Sequence, residues 1–139
     1  GGTSAGAAVM SEVMITGNEL VNTDSTRNFF CIQKGNVETK RGFGFVKNAI
    51  IDQHFLMRKR HNRLIAVVLE HPELPGIGID EEAAILVHPD GRFKVYGQDA
   101  VIVYDARRAR AIRTAERGLL GGHNIKVDLL LPGEEYRIK

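Results

Sequence analysis

Apolar residues along this chain come in short blocks separated by polar, glycine-punctuated stretches. In residues 5–14, AGAAVMSEVM, good helix formers at apolar spacing predict a helix, and Gly17 stands where a C-cap would follow. Residues 18–48 are polar and irregular apart from a strand-like FFCIQ and the glycine-punctuated RGFGFVKN, and they read as loop. The run NAIIDQHF, residues 48–55, reads as a short buried strand whose polar end carries Asp52, Gln53 and His54. In MRKRHNRLIAVVLEHPEL the apolar positions Leu64, Ile65, Val67, Val68 and Leu69 predict a helix, stopped by Pro72. GIGIDEEAAILVHPDGRFKVYGQDAVIVYDA reads as three strands, two of them joined by a hairpin turn at Pro89-Asp90-Gly91. The tail NIKVDLLLPGEEYRIK reads as one further strand pair. Strand, helix and strand in succession predict an α/β architecture with a partly parallel sheet, free of internal repeats and low-complexity linkers.

Composition narrows the classes. With 139 residues, 43% hydrophobic and 26% charged, the chain has enough apolar material for one modest core. A formal net charge of +2 is far from the balance of a nucleic-acid-binding protein. The arginines of residues 105–123 (Arg107, Arg108, Arg110, Arg113 and Arg117) read as a basic surface segment. Cys31 is the only cysteine, which excludes an intrachain disulfide and any multi-cysteine zinc site and fits a reducing compartment. No stretch approaches the roughly 18 continuous apolar residues of a membrane span.

The first residues carry the sharpest motif. Gly2-Thr3-Ser4-Ala5-Gly6 matches G-x-S-x-G, a turn in which glycine-sized neighbours let strand and helix approach and hold a serine in a strained backbone conformation. The serine hydroxyl then stands at a helix N-terminus, where the Ala5 N–H is available to an oxyanion. A phosphate-cradling loop is the rival reading, but the Lys-Ser/Thr of a P-loop is absent. Such an elbow needs a strand in front of it, and only Gly1, Gly2 and Thr3 precede Ser4, so the chain is expected to be the C-terminal portion of a larger domain.

A serine nucleophile needs a base. His71 lies before a proline at a helix end, His88 in a hairpin turn and His123 in a glycine-rich loop, all surface settings. His54 closes a buried strand at a sheet's carboxyl edge, where open α/β folds place their sites. It reads either as that base or as a core histidine bonded to a backbone carbonyl.

GTSAGAAVMSEVMITG with IIDQHF, RKRHNRL and ELPGIGIDEEAAILV resembles the cyanophycinases, serine peptidases related to the aspartyl dipeptidase peptidase E, over about residues 1–104. The resemblance implies a doubly wound α/β sandwich like that of class I glutamine amidotransferases, with residues 1–139 as the C-terminal portion of one hydrolase domain. It implies Ser4 as nucleophile and His54 as general base, and an acid fifteen to eighteen residues after the serine, a window in which Glu19 is the only carboxylate, with Asp24 as fallback. Asp52 and Gln53 are then expected at the substrate pocket, Asp52 alternatively as a strand-end cap. At least one of Arg58, Arg60 and Arg63 is expected to grip a substrate carboxylate, with Arg63 alternatively turned inward onto neighbouring acids. Asp80, Glu81 and Glu82 read either as carboxylates for an arginine-rich substrate or as a solvated turn. The implied substrate is cyanophycin, a poly-aspartate carrying arginine on each β-carboxyl, released as β-Asp-Arg dipeptides. Small peptides with an N-terminal Asp, or a non-catalytic binding role, are the alternatives. No metal, cofactor, nucleic acid or membrane partner is expected, and a homodimer of the full-length protein and a cytoplasmic location are.

Overall fold

The computed structural model describes residues 1–23 and 26–138, so Asp24 lies outside the described residues. In chain order the elements are α1 (Ala5–Ala8), β1 (Val13–Glu19), β2 (Val37–Arg41), β3 (Ile50–Gln53), α2 (His61–Glu70), β4 (Gly76–Ile79), β5 (Ala83–Val87) and β6 (Arg92–Gly97). They continue with β7 (Val101–Asp105), β8 (Arg110–Thr114), β9 (Leu120–His123), β10 (Lys126–Leu130) and β11 (Glu135–Arg137). The architecture is α/β with mixed sheets and few helices.

The central sheet has the order β10-β7-β4-β3. Only β3 and β4 are parallel, joined through α2, and Ile50, Ile51, Asp52 and Gln53 lie opposite Gly76, Ile77, Gly78 and Ile79. Strand β7 runs antiparallel to β4, and β10 antiparallel to β7. Because side chains alternate across a strand, β3 turns Ile50 toward the α2 core with Leu64, Val67 and Val68, and Ile51 toward the opposite core with Ile77, Phe93 and Val103. A second sheet, β11-β6-β5, covers that opposite face and contributes Phe93 and Val95.

The glycines of GIGI fall on the helix side, and there they are required. A Cβ on Gly76 would lie 2.5 Å from the Val68 side chain, and one on Gly78 would lie 2.4 Å from the Phe55 ring. Close seating of the helix and of the turn after β3 depends on their absence.

Several expectations are corrected. The helix expected over 5–14 ends at Ala8, because Val13, Ile15 and Thr16 are β-branched residues that fit a pleated strand, and residues 13–19 pair antiparallel with β2. The loop expected over 18–48 therefore contains a strand, whereas FFCIQ forms none and only its Gln33 makes an isolated bridge, with Leu119. Four strands, not three, fill residues 76–105, and the Pro89-Asp90-Gly91 hairpin joins β5 to β6 as expected. The two tail strands do not pair with each other: β10 joins β7 and β11 joins β6. The arginine-rich 105–123 segment forms the β8–β9 hairpin.

Two polar contacts, one buried and one partly exposed, lock the layers. Ser11 is fully buried, and its hydroxyl accepts the Ile51 N–H on the outer edge of β3. Asp105, at the end of β7, accepts two side-chain hydrogen bonds from Arg107 at 2.9 and 2.7 Å and one from the Tyr136 hydroxyl at 3.1 Å. Arg107 also donates to the Ile138 carbonyl at 2.5 Å, so this cluster ties the central sheet to the end of the chain. The guanidinium beside Asp105 holds its carboxyl down at about 2. Burial, then the Asp105 charge, pushes the Tyr136 phenol up to about 12. Among the described residues, no helix is long and apolar enough to cross a membrane.

Candidate active site

Parallel pairing in register brings the site together. Gln53 stands opposite Ile79 at the carboxyl ends of β3 and β4, so the residues that follow, His54 on one side and Asp80 and Glu81 on the other, leave the sheet side by side. Ser4 enters from a third element, the turn preceding α1, which packs on β3. Ser4 has φ 53° and ψ −126°, a strained backbone held by the turn. Gly2 makes that turn possible, since a Cβ there would lie 2.0 Å from the Gly6 carbonyl oxygen; Gly6 itself faces open space.

The three side chains form a chain of hydrogen bonds. Ser4 Oγ lies 3.0 Å from His54 Nε2, and His54 Nδ1 lies 2.8 Å from Glu81 Oε1. Ser4 is exposed, while the imidazole is about a quarter exposed. A carboxylate on Nδ1 fixes the tautomer with Nε2 as acceptor, so the arrangement can draw the proton from a serine hydroxyl as it attacks. The Ala5 N–H is the first donor of α1, next to Ser4, and has no intrahelical acceptor.

Glu19 does not take part in this contact. It ends β1, where its Oε1 accepts a hydrogen bond from the Asn36 side chain at 2.9 Å, and the carboxylate on His54 is Glu81. The two short apolar runs, IIDQ and GIGI, were legible in the sequence, but their pairing as parallel neighbours came from the sheet. Residues just beyond the ends of such strands are adjacent in space however far apart they lie along the chain.

Ser4, Gln53, His54, Asp80, Glu81 and Glu82 share a cavity of about 1020 Å³, with Met10, Phe45, Ile79 and Leu86 among its apolar walls. Gln53 follows the alternation onto this side, and its carboxamide oxygen is buried with no hydrogen-bond partner among the described residues. Asp52 follows the same alternation away from it. Fully buried on the α2 side, it takes both donors of a bidentate contact from Arg63, through Nε at 2.7 Å and through Nη2. The expectation of Asp52 at the substrate pocket is corrected, and Arg63 takes the alternative given for it, turned inward onto an acid: the two neutralise each other between strand and helix. Arg60 donates to the Gln53 carbonyl at 2.7 Å, and Arg58 is exposed; neither lines the cavity. Burial, followed by repulsion from Arg63, lowers the Arg60 pKa. No arginine or lysine among the described residues lines the cavity, while three acids in succession do. No group of three or more His, Cys, Asp or Glu among the described residues is arranged to hold a metal ion.

An exposed serine on a strained turn, backed by an imidazole and a carboxylate in an α/β framework, places the molecule in the class of hydrolase-like α/β proteins. The family model of Peptidase family S51 matches residues 1–95, and the chain belongs to that family. A cyanophycinase of Synechococcus elongatus is 32% identical over 145 residues, covering 100% of this chain and 42% of the relative. Those of Trichormus variabilis and Geminocystis herdmanii are 34% identical over 140 residues and 33% over 142, covering 99% and 100% of this chain and 44% and 49% of the relatives. The chain thus spans less than half the length of these curated relatives.

Proposed function

We propose that this chain carries the catalytic residues of a serine-type peptidase that hydrolyses cyanophycin to β-Asp-Arg dipeptides. The observation that supports this most is the Ser4–His54–Glu81 series, at 3.0 and 2.8 Å. In this reading Ser4 Oγ attacks the scissile carbonyl while His54 Nε2 takes its proton, and Glu81 stabilises the imidazolium that forms. The carbonyl oxygen, now negative, accepts the Ala5 N–H. Collapse of the tetrahedral adduct passes the proton from His54 to the leaving amine and leaves an acyl-enzyme, which water hydrolyses by the same steps.

The cavity favours a cationic substrate. Its charged lining is acidic, and Glu82 is exposed, whereas Glu81 is engaged by His54 and Asp80 by backbone N–H groups. A guanidinium matches a carboxylate with two parallel hydrogen bonds, so Glu82 is assigned to an arginine side chain of the substrate. The buried oxygen of Gln53 is assigned to a substrate N–H, since an unsatisfied buried acceptor carries a desolvation penalty of about 1–3 kcal/mol that a bound donor relieves. The curated relatives called cyanophycinases support the same substrate.

The test is carried out on the whole protein. A fluorophosphonate probe should label Ser4, and Ser4→Ala should abolish both labelling and release of β-Asp-Arg from cyanophycin. Turnover of the variant within tenfold of the parent would remove the serine mechanism. Hydrolysis of Asp-Leu in preference to cyanophycin would replace the polymer by small aspartyl peptides, and an unlabelled, inactive parent would leave a binding domain.

A further inference from the structure

We infer that Asp80 is a positioning residue, a single buried carboxylate that ties the turn carrying His54 to the turn carrying Glu81; this rests on the reading of Ser4, His54 and Glu81 as nucleophile, base and acid. The need for such a device is visible in the backbone. His54 has φ 48° and Glu82 φ 57°, so the residues at both turns occupy the left-handed region, which non-glycine residues hold only when their surroundings impose it. Glu81 has a long side chain that is 41% exposed, and its aim at His54 is therefore decided by where its own turn sits.

Asp80 supplies the link. It is 8% exposed, and its Oδ1 accepts the N–H of Leu56 at 3.0 Å and of Met57 at 3.1 Å, two and three residues beyond His54. One oxygen atom thus fixes the descent of the chain after the base, while the next residue along the backbone presents the acid. The far side of the acid's turn is also fixed: the Glu82 carbonyl accepts the Gln98 N–H at 2.9 Å and lies so close to Gly97 that a Cβ there would stand 2.0 Å away. Freed from Leu56 and Met57, the two turns keep the Phe55 N–H bond to the Ile79 carbonyl at 3.2 Å where the strands end, but lose the contacts that fix the chain beyond it. A displacement of about 1 Å at a catalytic contact lowers rates on the order of a hundredfold.

Because Asp80 also borders the cavity, a role in binding a cationic substrate is the competing account, and labelling by a neutral fluorophosphonate separates the two because it needs no substrate cation. Asp80→Ala should slow labelling of Ser4 on the order of a hundredfold and remove the low-field proton resonance of the His54 Nδ1–H bonded to Glu81. Asp80→Asn, whose amide oxygen accepts the same two N–H groups, should label within about threefold of the parent and keep the resonance. Asp80→Ser, too short to reach both donors, is read as Asp80→Ala is, should that variant fail to fold. Parent-like labelling with the resonance retained in Asp80→Ala or Asp80→Ser overturns the inference. So does Asp80→Asn as slow as Asp80→Ala, which would make charge rather than the clamp the operative property. A parent in which Ser4 does not label removes the triad reading itself and this inference with it, an outcome recognisable before any variant is made.

Discussion

Ser4 and Glu81 are 77 positions apart, and the imidazole between them is what makes them one site. At this scale the structure separates two acids that a spacing argument confuses. Glu81→Gln should lower kcat/KM by orders of magnitude, because an amide at that position no longer stabilises the imidazolium formed as Ser4 loses its proton. Glu19→Gln should leave kcat/KM within a few-fold, since Glu19 bonds to Asn36 and not to the histidine. Steady-state kinetics on the two variants decide it, and the reverse ranking would return the role to Glu19. Glu82→Gln belongs with them: it should raise KM for cyanophycin by about tenfold, the loss of a charge-assisted contact of about 1.4 kcal/mol, and leave kcat nearly unchanged.

Between elements, β3 and α2 are held by opposite kinds of contact. Asp52 and Arg63 pair as buried charges where the helix crosses the strand, and removing Arg63 leaves Asp52 with only the more distant Arg60 guanidinium, at 4.0 Å. Arg63→Met should lower stability by about 3–5 kcal/mol, and the double variant Asp52→Leu with Arg63→Met should recover much of it. Denaturant titration of both, compared with the parent, tests this; a double variant no better than the single would show that the pair's contribution is not electrostatic. Across the same layer, Gly78→Ala should lower stability by about 1–3 kcal/mol by driving a methyl into the Phe55 ring. Phe55 directly follows His54, so the same substitution should also slow Ser4 labelling, which a purely distant core defect would not do.

For the molecule as a whole, the Asp105 cluster joins the central sheet to the second sheet and the chain end, and it gives stability a defined acid limit. The folded-state pKa of Asp105 is depressed to about 2 from an ordinary 3.8, so the unfolded chain takes up the proton first as pH falls. Its stabilisation is fully present above pH 3.8 and is lost as pH falls from there through about 2. Asp105→Asn should therefore be less stable than the parent near pH 7 by about 1–2 kcal/mol, allowing for solvent screening of the partly exposed Arg107, and the difference should close below pH 2. Thermal melts of both proteins across that range measure it, and a gap independent of pH would assign the loss to packing.

What the sequence determined by itself is local. G-T-S-A-G dictated the serine elbow, the 3.6-residue spacing of Leu64, Val67 and Val68 dictated α2, and P-D-G dictated the β5–β6 turn, because each depends on neighbours within a few residues. Asp52 and Gln53 are both expected at the pocket, and only their places on β3 send Gln53 to the cavity and Asp52 to the helix. The tertiary structure decided everything that depends on strand partners. The β-branched residues of Val13–Glu19 favoured an extended chain, and β2 supplied the ladder that completed the strand. The tail strands joined β7 and β6 instead of each other. The same cause decides which carboxylate meets His54. A carboxylate 27 residues beyond His54 meets it because β3 and β4 run parallel and end level. Strand order and register are properties of the packed sheet, set by which apolar faces two layers bury together, and no spacing along a single chain records them.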